Sequence, residues 1–204
     1  MAKRGLFITF EGTEGSGKTT QIELLRQALV PRGPVLVREP GGTELGERMR
    51  EVLLFGGMDL HPEAEMYLFM AARSQLIHEV IEPSLAAGRI VIADRYHDST
   101  LAYQGGGRGL SVHWPPSFPK PDITFLVSVP VEVGHTRQLL AGKRPDRVER
   151  ESLEFHQRVS DEYHRLAAAE QKRFTVVDGT QAPAQVHAMV MARIEGALAG
   201  SARR

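Results

Sequence analysis

Five short apolar runs recur at wide spacing along the chain: Leu6-Phe7-Ile8-Thr9-Phe10, Val35-Leu36-Val37-Arg38, Arg89-Ile90-Val91-Ile92-Ala93, Ile123-Thr124-Phe125-Leu126-Val127 and Phe174-Thr175-Val176-Val177. Each is nearly continuous in apolar character, the pattern of strands buried on both faces. Between the runs the period changes to that of a helix. Thr20 to Leu29 reads as an amphipathic helix. From Glu63 to Ala87, Leu68, Ala72, Leu76 and Val80 recur every fourth residue until Pro83, which is expected to interrupt the helix. This alternation predicts an α/β fold, a parallel sheet with helices on both faces. Pro115, Pro116, Pro119 and Pro121 mark one loop, and there are no internal repeats.

Composition narrows the picture. With 204 residues, 42% of them hydrophobic, and no long polar linker, residues 1–204 are expected to form a single domain. A net charge of zero argues against general nucleic-acid binding, which usually shows a basic excess. The absence of cysteine rules out disulfides and thiolate metal sites. No apolar run approaches the length of a membrane span or a signal-peptide core, so a soluble cytoplasmic protein without a membrane partner is expected.

The chemistry begins directly after the first run. Gly12-Thr13-Glu14-Gly15-Ser16-Gly17-Lys18-Thr19 fills every fixed position of the phosphate-binding loop G-x-x-x-x-G-K-[ST], with a strand before it and a helix after it. Glycines let consecutive N–H groups point at phosphate oxygens, and the helix aims its positive end at the same anion. Lys18 would bridge the outer phosphates and Thr19 would offer its hydroxyl to Mg²⁺, with the binding set running from Gly12 to Thr20. The motif alone allows ATP or GTP.

Further along, Asp94-Arg95-Tyr96 sits at the carboxyl end of the third run, where open parallel sheets gather ligands. Asp94 could reach a Mg²⁺ shell and Arg95 could grip a second phosphate, although an ordinary strand-end ion pair would read the same way. Phe69 and Arg73 share a helix face and could stack on and hydrogen-bond a nucleobase, or could be a core Phe beside an exposed Arg. Between Arg137 and Arg150, the cations Arg137, Lys143, Arg144, Arg147 and Arg150 outnumber Asp146 and Glu149; such runs are usually solvated.

Taken in order, Phe10-Glu11-Gly12 through Thr20, Arg38-Glu39-Pro40-Gly41-Gly42-Thr43, Phe69-Met70-Ala71-Ala72-Arg73, Asp94-Arg95-Tyr96, Ser99 through Gly109 and Asp146-Arg147-Val148-Glu149 resemble the motifs of bacterial thymidylate kinases, over nearly the whole chain. The resemblance implies a P-loop NTPase fold with a five-stranded parallel sheet and a mobile lid at about 137–150. It also implies transfer of the γ-phosphoryl group of ATP to dTMP with Mg²⁺, and a homodimer. By the same resemblance Glu14 would meet the deoxyribose 3′-hydroxyl, Phe69 would stack on thymine, Arg73 would donate to its O4, and Thr100 would contact N3. Tyr103 would lie against the 2′ side of the sugar, with Ser99 and Gln104 beside it. Arg38, Arg50 and Arg95 would surround the monophosphate, and Asp94 and Thr19 would stand near Mg²⁺. Thr180 and Gln181 would approach adenine, and Glu39-Pro40 would be a cis bond.

Relatives with arginine at position 15 need no lid arginine; glycine there implies that Arg144 and Arg147, supported by Arg137, act with Lys18 and Arg95 on the transferred phosphoryl group. Two departures stand out: Ser128 occupies the region where relatives carry an aspartate, and Val112 to Lys120 is proline-rich where many relatives run a helix. The rival readings are another nucleoside monophosphate kinase, or a P-loop switch or partition ATPase. A GTPase would add an N-K-x-D motif, which the chain lacks.

Overall fold

The structure, a computed structural model, describes residues 4–142 and 144–202; Lys143 lies outside the described residues. Among these, β1 (Phe7–Glu11), β2 (Val35–Arg38), β3 (Val91–Asp94), β4 (Ile123–Ser128) and β5 (Phe174–Asp178) form one sheet in the order β2-β3-β1-β4-β5. Every pairing is parallel. All five expected runs are strands, but β1, β3 and β5 extend to an acid beyond the apolar run. The ladder explains this: Asp94 pairs with Phe10 and Arg38, Glu11 with Leu126, and Asp178 with Ser128. Polar residues end the apolar signal before they end the hydrogen bonding, and so the strand ends deliver Glu11, Arg38 and Asp94 to one edge of the sheet.

Alternation along β1 sets the two layers. Ile8 and Phe10 face α1 (Lys18–Ala28) and the C-terminal helix, in a core with Leu25, Phe125, Val127, Val186, Val190 and Ile194. Phe10 and Phe125 stack with ring centroids 5.1 Å apart. Phe7 faces the other way, onto Leu76, Ile77, Ile81 and Leu85. The helices of this second layer are α2 (Glu44–Arg50), capped by the Thr43 hydroxyl on Gly46 N, α3 (Pro62–Leu76) and α4 (Glu82–Ala86). A short α5 (His97–Thr100) follows β3 and runs into a wide π turn over Leu101–Gly107. Then come α6 (Val131–Leu140), α7 (Leu153–Ala169) and α8 (Pro183–Ala202), the last being the C-terminal helix already mentioned.

Pro83 does not interrupt the long helix, contrary to expectation. A π turn at Ile77–Ile81 joins α3 to α4, and Pro83 sits in the first turn of α4. A proline has no N–H to return to the preceding turn, and a widened turn absorbs that loss without ending the helix. The proline-rich stretch 112–120 carries no helix. Trp114 fixes it instead, donating from Nε1 to the Phe118 carbonyl at 2.9 Å and packing edge-on to His97 at 4.7 Å. No helix among the described residues is long and apolar enough to cross a membrane.

Candidate active site

The loop between β1 and α1 is pressed against its neighbours. Gly15 has φ +68°, and a Cβ there would lie 2.2 Å from the Gly134 carbonyl oxygen of α6. The contact is mutual, since a Cβ on Gly134 would lie 2.4 Å from the Glu14 carbonyl oxygen. An arginine at position 15 therefore has no room in this chain unless α6 moves. Arg137, one turn beyond Gly134, donates from Nη1 to the carbonyls of Gly15 at 3.2 Å and Gly179 at 3.0 Å, locking the loop to the turn after β5.

Inside the loop, Lys18 folds back on its own backbone. Its Nζ donates to Gly12 O at 2.9 Å, Thr13 O at 2.8 Å and Ser16 Oγ at 3.3 Å. Burial, reinforced by the nearby Arg95 charge, pushes its pKa down to about 8. An anion arriving at the loop would oppose both effects by favouring the charged lysine.

Arg95 leaves β3 in the left-handed region, φ 70°, an uncommon conformation for a side-chain-bearing residue. That turn sends its guanidinium back over the loop, to Glu14 Oε1 at 2.6 Å and Gly12 O at 3.0 Å. It lies 5.0 Å from the Tyr103 ring centroid, and the Tyr103 hydroxyl donates to both Glu14 oxygens at 2.7 Å. Burial alone would raise the Glu14 carboxyl, but the charges of Arg95 and Lys18 and the Tyr103 hydroxyl hold it below its ordinary value.

Arg73 is 2% exposed and fully engaged. It donates from Nε to Glu39 Oε2 at 2.6 Å, from Nη1 to Thr100 Oγ1 at 2.7 Å and from Nη2 to Tyr96 O at 3.0 Å. Burial raises the Glu39 carboxyl to about 6 even with Arg73 beside it. The Glu39-Pro40 bond is cis. Arg50 donates to Pro40 O at 2.9 Å and Arg38 pairs with Glu47 at 3.0 Å, which orders both arginines at the cavity wall.

These groups surround a cavity of about 460 Å³. Arg38, Arg50, Asp94 and Arg95 lie on its wall, as do Phe69, Arg73, Ser99, Thr100, Tyr103 and Gln104 with Glu14. A second cavity, also about 460 Å³, opens on the other side of the loop, lined by residues 15–21 together with Arg137, Gly179, Gln181 and Pro183. Lys18 and Thr19 border both. The neighbouring Thr180 is exposed, with its hydroxyl on Asp178 Oδ1 at 2.6 Å.

Five predicted residues line neither cavity: Gly12 and Thr13, whose carbonyls hold Lys18, the exposed Thr180, and Arg144 and Arg147. Arg144 is exposed, and Arg147 turns away from the loop: its Nε donates to Leu53 O at 2.8 Å and its Nη2 pairs with Glu65 at 2.6 Å. Its neighbours Asp146, Val148 and Glu149 line the first cavity. Glu11 and Tyr163 join the site although neither is among the candidate residues of the sequence. Glu11, wholly buried, accepts from Tyr96 N at 2.8 Å, Ser99 Oγ at 2.6 Å and Tyr163 OH at 2.8 Å, and burial raises its pKa. A charge at the end of a buried strand was the available signal for Glu11; nothing local distinguishes Tyr163. Ser128, at the position of the departure, hydrogen-bonds His164 Nε2 at 3.0 Å.

A cavity lined by Arg38, Arg50 and Arg95, by the Phe69 ring and by the buried Arg73, and bordering a phosphate loop, suits a nucleoside monophosphate facing a nucleoside triphosphate. The sequence profile of the thymidylate kinase family matches residues 10–190. The chain belongs to the thymidylate kinase family. It is 46% identical over 202 residues to the thymidylate kinase of Carboxydothermus hydrogenoformans, covering 95% of this chain and 98% of that one. It is 48% identical over 197 residues to the thymidylate kinase of Thermomicrobium roseum, covering 92% and 93%. The crystal structure of thymidylate kinase from Ehrlichia chaffeensis superposes with a TM-score of 0.75 at 32% identity, over 94% of this chain and 99% of that one. The parallel sheet flanked by helices is thus the P-loop fold of this family.

Proposed function

We propose that the two cavities are the two halves of one phosphotransfer site, and that the reaction is that of a thymidylate kinase: the γ-phosphoryl group of ATP passes to dTMP, giving dTDP and ADP. The observation that carries this reading is that Lys18 and Thr19 border both cavities, so the two ligands would meet where the loop lysine stands. ATP would take the glycine-lined side, with its base toward Gln181 and Arg137. dTMP would take the other, its phosphate among Arg38, Arg50 and Arg95 and its thymine on Phe69 and Arg73, with Thr100 and Gln104 alongside.

The chemistry asks little covalent work of the protein, since a monophosphate oxygen is already a nucleophile. What the residues supply is alignment and charge. Lys18 would exchange its carbonyl partners for phosphate oxygens. Arg95, held in place by its backbone conformation and by Glu14, would reach the oxygen being joined. Arg137 steadies the loop from behind. Arg144, exposed in this structure, is the cation of the 137–150 lid that would come over the phosphates. Glu14 and Tyr103 would fix the sugar.

Magnesium fits the donor set. The Thr19 hydroxyl and the Asp94 carboxylate share the cavity, and among the described residues no cluster of His, Asp or Glu could hold a metal unaided. One carboxylate plus substrate phosphates is the usual coordination of Mg²⁺, which would neutralise phosphate charge there. The chain would act in the cytoplasm, as one 1–204 unit paired with a second copy. The exposed Phe55, Met58 and Tyr67 supply apolar surface for such pairing.

The test is ADP release from ATP and Mg²⁺ with a panel of nucleoside monophosphates, repeated with Phe69→Ala. Strong preference for dTMP, weakened at least tenfold by Phe69→Ala, is expected. Equal use of several acceptors, or slow ATP hydrolysis with none, would overturn the reading.

A further inference from the structure

We infer that Glu65, which touches neither ligand in the reading above, is the positioning residue that clasps the 144–150 segment onto the acceptor cavity by holding Arg147. This rests on the two-cavity reading and adds a residue to it. Glu65 lies on α3, one turn before Phe69, and is 1% exposed. A buried carboxylate at such a place needs partners. It accepts from Nε2 of Gln104 at 2.8 Å and from the Arg108 guanidinium at 3.1 Å, and it forms an ion pair with the Arg147 guanidinium at 2.6 Å. One side chain thus ties together the base helix, the π turn bearing Tyr103 and Gln104, and the lid.

The grip on Arg147 is more than one ion pair. Its Nε donates to Leu53 O and its backbone N–H to Leu54 O at 3.1 Å, so both its main chain and its head are engaged. The next residue, Val148, is buried and packs with Leu54 and Tyr103, while Asp146 and Glu149 face the cavity. The Asp146 carboxylate accepts from the backbone N–H groups of Val148 and Glu149 at 2.9 Å, which makes Asp146-Arg147-Val148-Glu149 a compact turn with Arg147 as its anchor. Arg147 therefore works through position, at the wall of the acceptor cavity, and not by touching the phosphoryl group.

Three variants test this: Glu65→Gln, Arg147→Met and the two combined. Each single change is expected to lower kcat for dTMP-dependent ADP release about tenfold, with KM for ATP changed less than threefold. The loss in the double variant should fall well short of the product of the two single losses, because the Glu65–Arg147 contact is already gone in each single variant. Arg147→Lys should recover part of the loss. Trypsin cleavage after Arg150 should be at least tenfold faster in Glu65→Gln than in wild type, with melting temperatures recorded to exclude general unfolding. If Arg147→Met loses activity while Glu65→Gln keeps both normal kcat and slow cleavage, the clasp is overturned and Arg147 acts on the phosphates. If wild type shows no dTMP-dependent turnover, the kinase reading falls, and the cleavage rates still decide the clasp.

Discussion

The two cavities beside Lys18 are built from different materials. The side proposed for the donor is backbone: Gly15, Gly17 and Gly179 bring peptide groups to the surface, and Arg137 binds carbonyls. The side proposed for the acceptor is side chains already paired with one another: Arg73 with Glu39 and Thr100, Arg95 with Glu14, Gln104 with Glu65. A triphosphate tail needs N–H groups and little else, so a glycine loop suffices. A particular base and sugar need polar atoms at fixed points, and pairing fixes them before the ligand arrives.

Lys18 belongs to both halves, so its loss should do the most damage. Lys18→Met is expected to lower kcat about a hundred- to a thousandfold, the cost typical of removing one electrostatic contact to a transition state. The same group sets a pH limit. With its pKa depressed to about 8, the free enzyme loses the Lys18 charge as pH rises through that value, so kcat/KM for ATP should fall above pH 8. The Lys18-dependent part of the profile should vanish in the variant. A profile flat to pH 10 would show that Lys18 remains charged in the folded protein.

Gly15 should be intolerant of an added atom. Gly15→Ala combines a left-handed backbone with a Cβ 2.2 Å from Gly134 O, whereas Gly57→Ala shares the backbone conformation, φ +66°, with nothing within 4 Å. Left-handed alanine costs about 1–2 kcal/mol in either place. Displacement of α6 is added only at Gly15. Thermal melts should show a Tm loss at least twice as large for Gly15→Ala, with a raised KM for ATP in that variant alone. Equal losses would mean that α6 yields easily and that its contact with the loop is incidental.

The same contrast explains what was legible in the sequence. The phosphate loop is contiguous, and backbone geometry writes itself as glycines at fixed spacing, so Gly12 to Thr19 could be read at sight, whereas Arg137 and Gly179 on the same cavity could not. The strands were legible because burial on both faces leaves little room for polar residues. The acceptor site is assembled from residues far apart in the chain, and its pairings leave no local trace. Glu39 and Glu65 look like ordinary acids until α3 and the strand ends bring Arg73 and Arg147 to them. Arg147 shows the limit most clearly: a cation in a basic run suggests a phosphate ligand, yet here the nearer carboxylate and the Leu53 carbonyl hold it. Pro83 errs in the other direction, since a π turn hides a break that local rules predict.

Tyr103 gives the finest test of pairing on the acceptor side. Its ring and its hydroxyl do separate things: the ring lies beneath Arg95 and, in the proposed reading, would lie against the sugar, while the hydroxyl bridges both oxygens of Glu14. Tyr103→Phe removes only the bridge. Glu14 keeps Arg95, so the loss is that of one hydrogen bond, about 1 kcal/mol, and KM for dTMP should rise roughly fivefold with kcat little changed. Preference for a deoxyribose over a ribose acceptor should survive, because the ring that would crowd a 2′-hydroxyl remains. Tyr103→Ala should lose that preference as well. If Tyr103→Phe abolished it, the hydroxyl and the Glu14 it holds would be reading the sugar, and the ring would be only the surface on which Arg95 rests.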